Sequence, residues 1–144
     1  MLMNIRELES NDYYKKYLDL LSQLTVVKYL EFEDFEEQLI QIKKNPFHKI
    51  FIIEDNEQII GSITVLIEMK FIRNLGKVCH IEDVVVSNDY RGKGIARKLI
   101  EYVTNYSKNE GCYKILLNCK ENLIEFYSKF GFENKNLEMS LYLV

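Results

Sequence analysis

A buried strand, a glycine turn and a helix follow one another in the middle of the chain, and this stretch constrains the fold most. The apolar, β-branched run at 84–86 has the composition of a buried strand. Gly92 and Gly94 come shortly after it. Apolar residues then recur every three or four positions from 95 to 106, which is typical of one helix face. The stretch therefore predicts a strand, a tight turn and a helix in direct succession.

The turn between the strand and the helix has the features of a phosphate-binding site. The first N–H groups of a helix have no partner within the helix, and the helix dipole adds positive charge there. Gly92 and Gly94 lack the Cβ atoms that would keep a phosphate away, and Arg91, Lys93 and Arg97 supply cations. We predict that a pyrophosphate binds here, although a basic surface turn would have the same local sequence. The dinucleotide fingerprint does not fit, since Arg97 occupies its third glycine position.

Composition limits the class of protein. The 144 residues suffice for one domain with a core, and we expect a single domain over 1–144. The net charge of −3 argues against nucleic-acid binding, and the longest apolar stretch, 59–67, is too short for membrane insertion. Three cysteines without a C-x-x-C pair indicate reduced thiols and no metal site. We expect a cytoplasmic protein.

The order of the predicted elements indicates a mixed sheet. The predicted strands lie at 5–8, 47–54, 58–69, 78–86, 113–119 and 139–144, and the predicted helices at about 10–24, 33–44, 95–109 and 121–130. Two strands that are joined through a helix run parallel, whereas short turns join antiparallel strands. The pattern predicts an α/β fold, a central mixed β-sheet with helices on both faces.

The R-x-x-G-x-A pattern from Arg91 to Ala96, directly after a strand, resembles the phosphate-binding signature of the GNAT superfamily of N-acetyltransferases. The element order is also that of the GNAT acyl-CoA N-acyltransferase fold. The resemblance implies acetyl-CoA as co-substrate. It implies that the residues around acetyl-CoA are Val84, Val85, Val86, Arg91, Gly92, Lys93, Gly94, Ile95, Ala96, Arg97, Asn118 and Tyr127.

Longer segments resemble one family within this superfamily, the glucosamine 6-phosphate N-acetyltransferases. These segments are MKFIRNLGKVCHIEDVVV at 69–86, GCYK at 111–114 and FYSKFGF at 126–132. The resemblance implies transfer of acetyl from acetyl-CoA to the 2-amine of glucosamine 6-phosphate, on the route to UDP-N-acetylglucosamine. It further implies an intertwined homodimer and no metal. The substrate-binding residues implied are Thr25, Lys70, Phe71, Ile72, Arg73, Glu82, Asp83, Val84, Tyr113 and Lys114.

Three of the matching residues suit the chemistry of acetyl transfer. Glu82 and Asp83 lie on the central strand, and an inward carboxylate there needs a partner such as a sugar amine. The resemblance gives Tyr127 the role of acid for the departing CoA sulfur, although its helical spacing alone would also suit a core aromatic. Backbone N–H groups near 84–86 can stabilise the oxyanion.

Two positions depart from the family pattern. Asn118 stands where relatives carry an acid, and an asparagine cannot accept a proton at neutral pH. Tyr142 stands where relatives carry an arginine that reaches the sugar phosphate. Two other functions therefore stay open: acetyl transfer to another small amine or a peptide, and a catalytically silent acetyl-CoA-binding module.

Overall fold

The structure is a computed structural model that describes residues 3–144. It contains five strands, β1 (Ile5–Glu7), β2 (His48–Asp55), β3 (Gln58–Met69), β4 (Lys77–Val86) and β5 (Cys112–Leu117). Its helices are α1 (Tyr17–Leu21), α2 (Phe32–Lys43), α3 (Ile72–Leu75), α4 (Ile95–Asn109) and α5 (Ile124–Ser128). Of these, α3 is a single turn in which Arg73 and Asn74 have left-handed backbone conformations. Short 3-10 segments cover Ser10–Lys15, Asn88–Tyr90 and Glu121–Leu123.

The strands form one mixed sheet in the order β1-β2-β3-β4-β5. The first four strands are antiparallel neighbours, and β5 runs parallel to β4. Helix α4 makes the connection between β4 and β5, as the crossover rule requires. The predicted mixed sheet is thus confirmed.

Helices cover both faces of the sheet. On one face the side of α4 that carries Leu99 and Val103 packs against sheet residues such as Ile63 and Cys79. On the other face α1 and α2 bury Leu20 and Leu39 against a second apolar cluster. Each layer removes an apolar surface from water, and this burial supplies the main driving force for folding.

Strand β4 is irregular where it passes the middle of the sheet. Thr64 of β3 pairs with Glu82, but Ser62 pairs with Val85, so two residues of β4 lie opposite Ile63. Asp83 absorbs the extra length with a φ of 48°, in the left-handed region. This arrangement is a β-bulge, which redirects side chains and is frequent beside active sites.

An ion-pair network joins the N-terminal segment to the sheet. The guanidinium of Arg6 donates two hydrogen bonds of 2.8 Å to the carboxylate of Asp12 and one of 3.0 Å to Glu54. Asp12 is only 1% exposed and also accepts the N–H of Glu9 at 2.8 Å. Burial alone would raise the pKa of Asp12, but the hydrogen bonds from Arg6 and Glu9 outweigh it and lower the pKa.

Three sequence-based predictions of secondary structure are wrong. The predicted strand at 139–144 is absent, and this segment is extended and exposed. The predicted helix at 10–24 is divided by Lys16, which has a φ of 62°, so a 3-10 segment precedes α1. The predicted helix at 121–130 contains a 3-10 turn before the single helical turn of α5.

Candidate active site

The turn before α4 has the geometry of an anion site. Gly92 and Gly94 have φ values of 76° and 77°, and a Cβ added at either would meet no atom within 4 Å. The first helical hydrogen bond runs from Lys98 N–H to Gly94 O, at 3.1 Å. The preceding N–H groups, those of Ile95, Ala96 and Arg97, therefore lie before the first helical bond and are available to an external acceptor. The turn is open, polar and lined by backbone donors.

Cationic side chains surround this turn. Arg91, Lys93 and Arg97 are all exposed. The ammonium of Lys93 lies 4.9 Å from the centre of the Tyr90 ring, and the guanidinium of Arg97 lies 4.9 Å from that of Phe130. Aromatic faces hold Lys93 and Arg97 near the turn, and the guanidinium of Arg97 also lies 3.5 Å from a carboxylate oxygen of Glu101. The residues present fit a diphosphate group.

A gap opens between β4 and β5 beyond the turn. Pairing between the two strands ends at Ile81 and Leu117, while β4 continues to Val86. Asn118 directly follows β5 and is exposed at the head of the gap. Backbone groups over 82–86 on this side of β4 have no partner from β5 in the described chain. An N–H group within 84–86 that points toward the gap can therefore reach a bound carbonyl oxygen.

Both central carboxylates lie on the face of the sheet that α1 and α2 partly cover. Glu82 pairs with Thr64 and shares its face. Asp83 reaches a cavity of about 210 Å³ beneath α1 and α2, because the bulge turns it out of the normal alternation. In a regular strand the neighbouring carboxylates of Glu82 and Asp83 would point to opposite faces, and the bulge overrides this alternation.

Tyr17 and Ser62 line the same cavity as Asp83, and the sequence did not identify them as site residues. The hydroxyl of Tyr17 lies 3.4 Å from that of Ser62, and both side chains are buried. Burial is the main reason that the pKa of Tyr17 is raised, and the Asp83 carboxylate adds to the shift. Neither residue stands in a motif, since Tyr17 has only the spacing of a core position.

A basic cluster forms at the opposite end of β4. The guanidinium of Arg73 lies 5.6 Å from the ring centre of Tyr113, and the ammonium of Lys114 lies 5.8 Å from it. The ammonium of Lys70 is 3.2 Å from a carboxylate oxygen of Glu68. The structure thus brings together Arg73, Tyr113 and Lys114, whereas Lys70 is paired with an acid.

The loop that carries Lys70 and Arg73 has a strained backbone and exposes two apolar side chains. Arg73, Asn74 and Leu75 all have φ between 54° and 58°, which is costly for residues with a Cβ. The hydrogen bond from Lys70 N–H to Gly76 O, at 2.8 Å, closes the loop. The predicted substrate residues Phe71 and Ile72 project from it and are exposed.

Lys114 and Glu82 lie on the same face of the sheet. Residues Cys79 and Ile81 of β4 pack into the core under α4, so the residues between and beyond them face the other side. Lys114 pairs with Val78, four residues before Glu82 on this other side. At a rise of about 3.3 Å per residue, the two positions are about 13 Å apart along the sheet. A cation and a carboxylate, both exposed, therefore lie on one face of the sheet.

Thr25 lies at the far end of this surface. It belongs to the exposed connector between α1 and α2, and its N–H bonds to Leu21 O at 3.2 Å. The side-chain oxygen of Gln23 accepts the N–H of Asn88 at 2.8 Å, which holds the connector beside the end of β4. Within one chain, Thr25 is therefore at the opposite end of β4 from the basic cluster.

Tyr127 lies in α5, beside the gap between β4 and β5. It is only 8% exposed and lines a groove of about 1090 Å³ that also includes Asn118 and Cys119. Burial raises the pKa of Tyr127, and Cys119 adds to the shift. The phenol therefore keeps its proton at neutral pH and can donate it to a developing thiolate.

Comparison with known proteins decides the family. The acetyltransferase (GNAT) family model matches residues 2–132. This chain belongs to the GNAT acetyltransferase family. Its co-substrate is therefore acetyl-CoA, and the open turn before α4 fits the diphosphate of that molecule.

Several members of the family are similar over almost the whole chain. A glucosamine 6-phosphate N-acetyltransferase from Arabidopsis thaliana is 40% identical over 141 residues, which are 96% of this chain and 95% of the relative. Another from Dictyostelium discoideum is 41% identical over 144 residues, 98% of this chain and 91% of the relative. The crystal structure of the Arabidopsis thaliana glucosamine-6-phosphate N-acetyltransferase superposes with a TM-score of 0.95 at 39% identity and covers both chains fully.

Two further features of this GNAT acetyltransferase concern metals and membranes. Among residues 3–144, no cluster of three or more His, Cys, Asp or Glu side chains is arranged to hold a metal ion. None of the helices found in residues 3–144 combines the length and the apolar character needed to cross a bilayer.

Proposed function

We propose that this chain is a glucosamine 6-phosphate N-acetyltransferase, which transfers acetyl from acetyl-CoA to the 2-amine of the sugar. The observation that carries the proposal is that Lys114 and Glu82 are both exposed on one face of the sheet, about 13 Å apart along it. A cation there suits the phosphate, and a carboxylate suits the amine. The similar proteins from Arabidopsis and Dictyostelium, which carry this name, support the same substrate.

The two carboxylates and the backbone of β4 beside the gap have different roles in acyl transfer. Glu82 and Asp83 orient the acceptor amine, and N–H groups of 84–86 donate to the carbonyl oxygen as it gains negative charge. The amine nitrogen bonds to the carbonyl carbon while the carbon–sulfur bond breaks. The amine proton passes to a carboxylate or to water, and Tyr127 donates a proton to the departing sulfur. Asn118 can orient a polar group but does not act as the base.

The basic cluster would bind the phosphate group. Arg73 and Lys114 share the ring of Tyr113 and project from neighbouring segments at one end of the sheet. Lys70 joins them when the phosphate competes with Glu68, which is exposed and holds Lys70 in the free protein. Phe71 and Ile72 would cover the sugar ring. Thr25 lies at the opposite end of β4 within one chain, so its contact with the sugar would be made across the homodimer proposed below.

The proposal includes a homodimer. Every second residue of the C-terminal segment from 137 to 143 is apolar and 86–95% exposed. These residues are Leu137, Met139, Leu141 and Leu143. Strand β5 is at the end of the sheet, so one of its edges has no strand partner in the described chain. The exposed alternating apolar residues of one copy suit pairing with the free edge of β5 in a second copy. We propose that this pairing forms the dimer. In this dimer the segment 139–144 would form the strand that the sequence predicts.

The proposal also covers the domain organisation of the chain and its location in the cell. We propose that residues 1–144 form one domain and that it works in the cytoplasm. The reduced state of its thiols supports the second point, since Cys79, Cys112 and Cys119 are all free.

Kinetics of matched lysine variants test the assignment of substrate. Lys114→Ala should raise the KM for glucosamine 6-phosphate roughly thirtyfold, the effect of losing one hydrogen bond to a charged group. It should leave the slow reaction with unphosphorylated glucosamine unchanged. Lys108→Ala, an exposed lysine of α4, is the control. An equal effect of Lys114→Ala on both sugars would contradict phosphate binding at this cluster.

A further inference from the structure

The turn that precedes α4 has few contacts of its own. Its two glycines have positive φ, a Cβ added at either would meet no atom within 4 Å, and Arg91, Lys93 and Arg97 are exposed. A glycine-bearing loop loses more conformational entropy on ordering than other residues do. Binding of a diphosphate would be weakened by this cost unless another part of the protein orders the loop beforehand.

The tip of the β2–β3 hairpin supplies such an anchor. The phenol of Tyr90 donates a hydrogen bond of 2.5 Å to the carboxylate of Asp55, the last residue of β2. The next two residues, Asn56 and Glu57, have φ values of 48° and 59°, so the hairpin ends in a tight two-residue turn. The hairpin tip is therefore rigid, and Asp55 is a fixed acceptor.

Two other observations connect this contact to the phosphate site. The N–H of Ser87 donates to Ile60 O of β3 at 2.8 Å, so the loop is attached to the same hairpin at its start. The Tyr90 ring packs against the core, and the ammonium of Lys93 lies over this ring, 4.9 Å from its centre. Donation to Asp55 is the main reason that the pKa of Tyr90 is raised, so the phenol remains a donor at neutral pH.

We propose that Asp55 and Tyr90 are positioning residues for acetyl-CoA, because their hydrogen bond fixes the turn 91–94 and Lys93 in the conformation that receives the diphosphate. Neither residue contacts the ligand in this account. The inference rests on the proposed role of the turn 91–97 and extends it to the hairpin, which lies outside every motif of the sequence.

Removal of the hydrogen bond tests the inference. Tyr90→Phe keeps the ring, its packing and the contact with Lys93, and removes only the donor. It should raise the KM for acetyl-CoA, and the Kd for CoA measured by calorimetry, about tenfold, with kcat unchanged. S-acetylpantetheine, which carries the thioester but no diphosphate, should react with wild type and variant at the same rate. A general loss of structure would affect both donors.

The Asp55→Ala variant, which removes both the acceptor and its charge, separates positioning from charge. It removes a negative charge near the diphosphate site, so a purely electrostatic effect would tighten CoA binding. Positioning predicts weaker binding instead. Combination with Tyr90→Phe should add little to either single change, because both remove the same interaction. Tyr102→Phe, on the half-exposed side of α4, is the control and should leave the binding of both donors unchanged.

The variant Gly94→Ala distinguishes failure of this inference from failure of the site itself. If Gly94→Ala weakens CoA binding and Tyr90→Phe does not, the hairpin has no positioning role and the inference is wrong. If neither change affects CoA binding, the turn is not the diphosphate site, and the proposed cofactor residues fail together with the inference. Equal losses with acetyl-CoA and S-acetylpantetheine would also overturn the inference.

Discussion

Two glycines that flank α4 offer a direct test of the diphosphate site, because both have a positive φ and they lie at opposite ends of the helix. Gly94 precedes the helix with a φ of 77°, and Gly111 follows it with a φ of 78°. A Cβ added at either position would meet no atom within 4 Å. The two alanine substitutions therefore impose the same backbone strain and no steric clash within the protein.

The expected change in stability is the same for both variants. An alanine with positive φ costs about 1 kcal/mol after the gain from a less flexible unfolded chain is subtracted. For a chain of this length, that cost lowers the Tm by about 3 °C. Thermal unfolding followed by circular dichroism should give this shift for both Gly94→Ala and Gly111→Ala.

The expected change in ligand binding differs. A methyl group at Gly94 occupies the space in which a phosphate oxygen would meet the first N–H groups of α4. Loss of one hydrogen bond to a charged group weakens binding by about 2 kcal/mol, which corresponds to a rise of roughly thirtyfold in the KM for acetyl-CoA. Gly111→Ala should leave this KM unchanged. If the two variants gave the same KM, the assignment of the diphosphate to this turn would be refuted.

Three other predictions follow from single side chains. Tyr127→Phe should lower kcat about 10²-fold or more with little change in KM, since a general acid is lost, and stopped-flow thiol detection measures this. Asp12→Asn should lower the free energy of unfolding at pH 7 by about 3 kcal/mol in urea titrations, because Arg6 loses its buried partner. The depressed pKa of Asp12 means that its contribution is complete above 3.8, the pKa of an unperturbed aspartate, and is lost as the pH falls below it. Leu141→Asp should reduce the mass measured by light scattering from that of a dimer to 17.2 kDa, and an unchanged mass would argue against exchange of the C-terminal segment.

The central strand, turn and helix could be predicted from the sequence because each depends on local signals. Glycines mark both ends of α4, with Gly94 before its first residue and Gly111 after its end, and apolar spacing marks its buried face. The family motif added the phosphate-binding role of the same residues. Local chemistry and motif agree over this stretch, so its boundaries were close to those observed.

Features that depend on distant contacts were not predicted. The bulge at Asp83 has no glycine or proline to mark it, and it arises where β4 passes α1 and leaves β5. The bond between Asp55 and Tyr90 joins residues 35 positions apart, which no periodicity reveals. The interruption at Lys16 follows from the Arg6–Asp12 ion pair, which holds the preceding segment against the sheet.

The segment 139–144 illustrates the limit of pattern-based prediction. Alternating apolar residues are typical of a strand, but a strand forms only where another strand edge supplies hydrogen bonds. In the single chain the segment does not pair with the free edge of β5 and remains exposed. The pattern therefore predicts a tendency to pair, and the proposed second copy would provide the partner.

The acceptor specificity of the wild-type protein tests the central claim most directly. CoA thiol release from acetyl-CoA is measured in parallel with glucosamine 6-phosphate, glucosamine and a lysine-containing peptide, and the product is identified by mass spectrometry. The account predicts efficient turnover only with glucosamine 6-phosphate and formation of its N-acetyl derivative. Preferential turnover of the peptide or of the unphosphorylated sugar would contradict the substrate assignment, and binding of acetyl-CoA without turnover of any acceptor would indicate a silent acetyl-CoA-binding module.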